Sequence, residues 1–207
     1  MILFVTGTNT GVGKTFFSVN LLKLLKKSGK NVLGFKPIET GCDPVCEDVK
    51  KISKVCGKDI PPVYFFKTPV APSVAEVLEN KKIDVDLIKE KVKEYEKQVD
   101  LLIVEGAGGI MVPISGKYTF LDFAKEIADE VVIVALNKLG VINHALLTVK
   151  ICSDSKIPIK GVFLNSFGNS GVDVSQATNY KTLLSLLDSP VYEFSSEEDF
   201  EEFISLF

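Results

Sequence analysis

The chain has 207 residues, of which 46% are hydrophobic and 25% charged, and 24 basic against 27 acidic side chains leave a net charge of -3. That length and balance fit one folded domain, residues 1–207, with a substantial core, and they exclude an intrinsically disordered chain. Slight acidity also excludes a global positive field for nucleic acid or an anionic membrane, so a small-molecule partner is expected.

Residues 1–5 run straight into an apolar stretch without a basic leader or cleavage pattern, and so read as a strand, not a signal peptide. No apolar run approaches the roughly 18 residues of a spanning helix. A cytoplasmic protein is expected. In that compartment Cys42, Cys46, Cys56 and Cys152, which lack CxxC spacing and accompanying histidines, are expected as reduced thiols.

A short apolar strand is predicted over residues 2–6. After Gly13, Phe16, Val19, Leu22 and Leu25 recur at the spacing of one helix face. Further strands rich in Val, Ile, Leu and Phe are predicted over 31–36, 100–105, 130–137 and 159–165. Helices are predicted over 48–55, 84–97, 121–127, 143–153 and 175–187. This alternating order predicts an α/β fold, a doubly wound and mainly parallel sheet with helices on both faces, whose ligand lies beyond the carboxyl ends of the strands. No repeat, low-complexity tract or linker divides the chain. At the end, Ser195 and Glu198 have capping-box spacing ahead of Phe200, Phe203, Ile204 and Phe207, so 197–207 is expected as a short docked helix.

Gly7-Thr8-Asn9-Thr10-Gly11-Val12-Gly13-Lys14-Thr15 joins the first strand to the first helix. Glycines there let the backbone curl around phosphate oxygens and aim N–H groups at them. Lys14 adds a mobile positive charge, Thr15 offers a hydroxyl to Mg²⁺, and the helix start adds partial positive charge. By strict count GxxxxGK[ST] fails, because Thr8 stands in the first glycine's place and Gly7 lies one residue early. Strand before and helix after nevertheless make this a phosphate-binding loop.

Phosphoryl transfer also needs metal-holding carboxylates and further cations. Glu105 ends a predicted strand and runs into Gly106-Ala107-Gly108-Gly109, which allows close approach of a nucleotide. Lys36, in Phe35-Lys36-Pro37-Ile38-Glu39-Thr40-Gly41, is placed to reach the phosphates beside Lys14. Asp43, Glu47 and Asp48 follow, and any of the three can supply a second carboxylate. Residues 137–148 pass from a strand end into a helix whose start can bind an anion. His144, the one histidine, reads as a cap or packing residue rather than a general base. Asn165 can pair with the adenine edge or cap a turn.

The segments GTNTGVGKT, KPIETG, VEGAGG, KLGVINHALLT and GVFLN, in this order from Met1 to Asn165, together resemble the dethiobiotin synthetase family. The resemblance implies a P-loop NTPase-like fold. It also implies ring closure of 7,8-diaminononanoate with CO2 and MgATP to dethiobiotin, ADP and phosphate, by way of a carbamate and a carbamic-phosphoric anhydride. It implies Lys14, Lys36 and Thr10 as catalytic groups and Thr15, Asp48 and Glu105 as Mg²⁺ ligands. The nucleotide would meet Asn9, Thr10, Gly11, Val12, Gly13, Lys14, Thr15 and Phe16, together with Asp48, Glu105, Gly106, Ala107, Gly108, Asn165 and Ser166, with Asn165 reading adenine. Thr40 and Lys36 would contact the substrate. A homodimer is implied in which Gly140, Val141, Ile142 and Asn143 of the partner catch the substrate carboxylate at a helix start. Gly11 departs from relatives with an acidic residue there, and the chain after Asn165 matches weakly.

Two other readings share parts of this pattern. A partition-type nucleotide switch carries an additional P-loop lysine where this chain has Asn9. A cobyrinate-type amide ligase needs a cysteine nucleophile with a histidine partner, and here one histidine and no spare domain are present.

Overall fold

Side chains alternate across a strand, and in β1 (Ile2–Gly7) both faces are apolar: Ile2 and Phe4 enter one hydrophobic cluster, Leu3 and Val5 the other. A strand buried on both faces belongs in the middle of a sheet covered by helices. The computed structural model, which describes residues 1–168 and 173–207, shows that arrangement.

After β1 come α1 (Lys14–Lys27), β2 (Val32–Phe35), β3 (Ile38–Thr40), α2 (Glu47–Cys56), β4 (Tyr64–Phe66), α3 (Pro72–Leu78) and α4 (Val85–Glu96). Next are β5 (Leu101–Gly109), β6 (Pro113–Ser115), β7 (Tyr118–Thr119), α5 (Phe120–Ile127), β8 (Glu130–Leu136) and α6 (Val141–Asp154). β9 (Ile159–Asn165), α7 (Val174–Leu186), β10 (Val191–Phe194) and a 3₁₀ helix (Glu198–Leu206) complete the order. The main sheet runs β10-β9-β8-β1-β5-β2, with every neighbouring pair parallel. The chain moves to one side of β1 for β2 and β5 and to the other for β8, β9 and β10, so β1 lies at the reversal where such sheets bind ligands.

One face of the sheet is covered by α1, α2 and the terminal 3₁₀ helix, the other by α4, α5, α6 and α7. Phe17 on α1 is fully buried and packs on Phe163 of β9 at 4.6 Å between ring centroids. Burial of one such ring contributes roughly 1.5–3 kcal/mol. α5 starts with a capping box, in which Thr119 and Asp122 satisfy each other's backbone N–H groups.

Several elements are additional to those expected. The β3/β4 pair, the β6/β7 pair and β10 are each two to four residues long, and α3 is a seven-residue helix opened by Pro72. Such short pieces hold at most about two periods of hydrophobic patterning, too few to stand out in the sequence. The tail docks through Phe200 and Phe203, as its apolar spacing requires, but as a 3₁₀ helix. Its capping partner differs from the expected Glu198: the backbone N–H groups of Ser195 and Ser196 donate to Asp199 Oδ2 at 2.6 and 3.0 Å. A second correction concerns the cysteines. Cys42 and Cys46 are joined in a disulfide, while Cys56 and Cys152 are free, because the turn from β3 into α2 brings the first two Cα atoms to 4.5 Å. Among the described residues no helix is long and apolar enough to cross a membrane.

Candidate functional site

A cleft of about 530 Å³ opens over the carboxyl ends of β1 and β5. The glycine loop supplies Thr10, Gly11 and Gly13, and α1 supplies Lys14, Thr15 and Phe16. The segment after β2 contributes Lys36, Glu39 and Thr40, α2 contributes Asp48 and Lys51, and the end of β5 contributes Ala107 and Gly108. A further wall, Pro69, Val70, Ala71 and Pro72 with Val112, closes the far side.

The loop's glycine spacing has a steric reason. A Cβ on Gly7 would meet Val12 Cγ2 at 2.7 Å and the Asn9 carbonyl at 2.9 Å, so the residue that must be glycine sits one place before the strict motif. Gly13 holds φ 99° as the N-cap of α1, and a Cβ there would collide with the Asn165 amide. Asn165 thereby buttresses the loop from β9: its Nδ2 donates to the Val12 carbonyl at 3.0 Å, and its Oδ1 accepts from Phe167 N at 3.0 Å.

Beneath the loop lies a charged cluster. Glu105, 1% exposed, accepts from Thr15 Oγ1 at 2.6 Å and Lys36 Nζ at 2.7 Å through Oε1, and from Ser18 Oγ at 2.7 Å through Oε2. A buried carboxylate is tolerable only with such partners. Lys36 Nζ also donates to Asp48 Oδ2 at 2.7 Å. Burial alone would lower the pKa of Lys36, but Glu105 and Asp48 outweigh it and hold the ammonium well above the usual lysine range. Burial would likewise raise the Asp48 carboxyl, yet Lys36 keeps it below its ordinary value. Lys14 is the contrasting case: burial, only partly opposed by Glu105, lowers its pKa from 10.5 to about 8. Its Nζ donates to the Asn9 carbonyl at 3.3 Å.

Thr15, Asp48 and Glu105 present a hydroxyl and two carboxylates, the hard oxygen donors that Mg²⁺ takes. The Lys36 ammonium stands 2.7 Å from both acids, so their oxygens already face one positive charge. Of the three acids after β3, Asp48 is the one lining the cleft, while Asp43 and Glu47 are exposed. Glu39 has a part that its sequence position did not disclose. Its carboxylate accepts the N–H groups of Asp48 and Val49 at 3.0 and 2.8 Å, pinning the first turn of α2 to β3.

Comparisons with known proteins identify the family. The family model described as AAA domain matches residues 2–193. A Hydrogenobaculum sp. protein named ATP-dependent dethiobiotin synthetase BioD is 41% identical over 193 residues, covering 91% of this chain and 85% of the relative. Its namesake from Aquifex aeolicus is 38% identical over 204 residues, covering 97% and 91%. The chain belongs to the dethiobiotin synthetase family. Membership makes it an ATP-dependent ligase of biotin biosynthesis. Among solved structures, a plasmid partition protein from Borrelia burgdorferi aligns with a TM-score of 0.60 at 15% identity, covering 100% of this chain and 99% of that one. That likeness shows a shared P-loop fold.

The dethiobiotin synthetase pattern therefore converges on one cleft for Thr10, Gly11, Gly13, Lys14, Thr15, Phe16, Lys36, Thr40, Asp48, Ala107 and Gly108, with Glu105 joined through its hydrogen bonds and Gly106 buried beside it. Asn9 and Val12 shape the loop from outside that lining, Asn9 through its carbonyl bond to Lys14 and Val12 through its bond to Asn165. Ser166 Oγ donates to Glu193 Oε1 at 2.5 Å and accepts from Asn137 Nδ2 at 2.9 Å, next to the buttress. Gly140, Val141, Ile142 and Asn143 form the start of α6 and lie outside this lining. His144 sits in that first turn, half-buried, with its carbonyl accepting from Thr148 Oγ1 at 2.8 Å. The apolar 69–72 wall went unread in the sequence, although its two prolines around Val70 and Ala71 mark a stiff loop.

Proposed function

We propose that this cleft binds MgATP and 7,8-diaminononanoate and closes the diamine with CO2 into dethiobiotin, releasing ADP and phosphate, with one domain, residues 1–207, carrying the activity. The observation that supports this most is the Lys36–Glu105–Asp48–Thr15 cluster directly beneath the phosphate loop.

One substrate amine adds to CO2 and loses a proton, giving a carbamate. A carbamate oxygen attacks the γ-phosphorus of ATP, the bond between the γ-phosphorus and the β,γ-bridging oxygen breaks, and ADP leaves. The second amine then attacks the carbonyl carbon of the mixed anhydride, the carbon–oxygen bond to phosphate breaks, and a proton is lost as the cyclic urea forms. Lys14 and Lys36 flank the transferring group, offset its charge and align carbamate with phosphate. Thr10 and Thr40 contact the carbamate or substrate. Thr15, Asp48 and Glu105 would hold Mg²⁺, which when bound would supply positive charge to offset that developing on the transferred phosphoryl group. Asn9 to Phe16, Gly106 to Gly108, Asn165 and Ser166 surround the nucleotide, with Asn165 beside adenine.

The position of Gly140–Asn143 outside the cleft favours a homodimer in which the α6 start of a second copy, with no acidic residue in its first turn, catches the substrate carboxylate.

The deciding experiment measures phosphate release with MgATP and bicarbonate, with and without 7,8-diaminononanoate, coupled to mass detection of dethiobiotin. Diamine-dependent release with product is expected. Slow hydrolysis indifferent to the diamine would replace this reading with a nucleotide switch.

A further inference from the structure

The loop between β3 and α2 carries chemistry that the proposed reaction leaves unused. The Cys42–Cys46 disulfide closes a ring of five residues, and both ends of the ring run into the cleft. Thr40 lies two residues before Cys42 and Asp48 two residues after Cys46, and both are cleft-lining. Glu39 ties the same two segments by a second route, through the N–H groups of Asp48 and Val49. Cys46 is the N-cap of α2 and makes no side-chain capping bond. The first turn of α2 is thus fastened to β3 once covalently and once by hydrogen bonds.

The two sulfurs differ in access. Cys42 is 2% exposed, whereas Cys46 is half-buried beside the exposed Pro44 and Val45. A thiol arriving from solvent therefore meets Cys46 first.

We propose that Cys42–Cys46 is a thiol–disulfide modification site that sets how firmly Asp48 is presented to the nucleotide-bound cation. The proposal rests on the reading of Asp48 as a metal ligand. In the reductive direction a dithiol attacks Cys46 Sγ, the Cys42–Cys46 bond breaks, and Cys42 leaves as a thiolate that takes up a proton. The second thiolate of the reductant then attacks the reductant's own sulfur in the mixed disulfide, Cys46 leaves and is protonated, and the reductant ends as a disulfide. Two electrons and two protons pass to the protein. The reduced protein keeps the Glu39 clamp and the Lys36–Asp48 ion pair on the first turn of α2 but loses the covalent tie, so Asp48 is less preorganised and cation–nucleotide binding weakens.

The test poises the full chain across a series of oxidised and reduced dithiothreitol mixtures. In each, thiols are counted after denaturation and MgADP affinity is measured by calorimetry. Two thiols are expected in the oxidised protein, from Cys56 and Cys152, and four in the reduced one. MgADP binding should weaken about five-fold on reduction, and both changes should share one midpoint. A variant carrying Cys42→Ser and Cys46→Ser should bind with the reduced-state affinity in every mixture. The oxidised and reduced wild-type protein carry the comparison by themselves, whether or not that variant folds.

Four thiols in every mixture would overturn the proposal. A thiol transition with unchanged MgADP affinity would also overturn it, leaving a staple that affects stability alone. Asp48→Asn in both redox states separates the two readings. Wild-type MgADP affinity in that variant places the failure in the Asp48 assignment. Weakened binding that still changes with redox state rejects the route through Asp48.

Discussion

Lys36 and Glu105 meet at 2.7 Å with side chains 5% and 0% exposed, and the same ammonium stands 2.7 Å from Asp48. On the proposed assignment, Lys36 occupies the ground between two metal ligands, so a divalent cation entering without nucleotide has to compete with it. Lys36→Met should therefore raise the affinity of the nucleotide-free protein for Mn²⁺, read by electron paramagnetic resonance, while turnover falls at least about 100-fold. The buried carboxylate left behind should cost about 3–5 kcal/mol in urea unfolding, partly recovered when Mg²⁺ is added. Unchanged Mn²⁺ affinity would show that the ammonium and the cation do not share a position.

Glu105→Gln keeps the shape of the side chain but removes its charge. The amide can still accept from Thr15 or Ser18, so the fold should persist with a single cooperative unfolding transition. Turnover should fall on the order of 100-fold or more, and MgADP affinity should weaken more than affinity for ADP with a chelator present. Equal weakening of both would move Glu105 from metal binding to support of the loop.

The core strands were legible because β1, β5, β8 and β9 are apolar on both faces, and each continuous apolar run is bounded by polar residues. The charged cluster was legible in part. Lys14 and Thr15 carry a local motif, whereas Lys36, Asp48 and Glu105 are separated by up to 69 positions and meet only because β2 and β5 lie side by side. Glu39 was not legible. A carboxylate that caps a helix eight residues downstream depends on the turn of the intervening loop, and no periodicity records that turn. Cys42 and Cys46 escaped for the same reason: their spacing matches no common motif, and the loop alone brings them together.

Asn165 offers a discriminating case. The amide that would read adenine already holds the Val12 carbonyl and the Phe167 N–H. Asn165→Ala removes the buttress under Gly13, so affinity should fall for ATP and GTP by similar factors, on the order of 10-fold for a lost buried hydrogen bond. Competition binding with both nucleotides reads this directly. Loss confined to ATP would instead make recognition of the base the dominant role of this side chain.

On the proposed assignment, Lys14 should make nucleotide binding depend on pH. Burial leaves its pKa at about 8 in the ligand-free protein, against an ordinary 10.5. Between these values the unfolded chain holds the proton more fully than the folded one, so this group's contribution to stability rises with pH there. Nucleotide binding has the opposite sign, because bound phosphates favour the ammonium. Below about pH 7 Lys14 is already charged and MgADP binding should take up little proton at this site. At about pH 9 binding should take up close to one proton, and affinity should fall as pH rises through 8. Calorimetry of MgADP binding in buffers of different ionisation enthalpy measures that uptake. Lys14→Met should bind MgADP weakly and without the uptake, and an uptake that survived in that variant would assign the titration to another group.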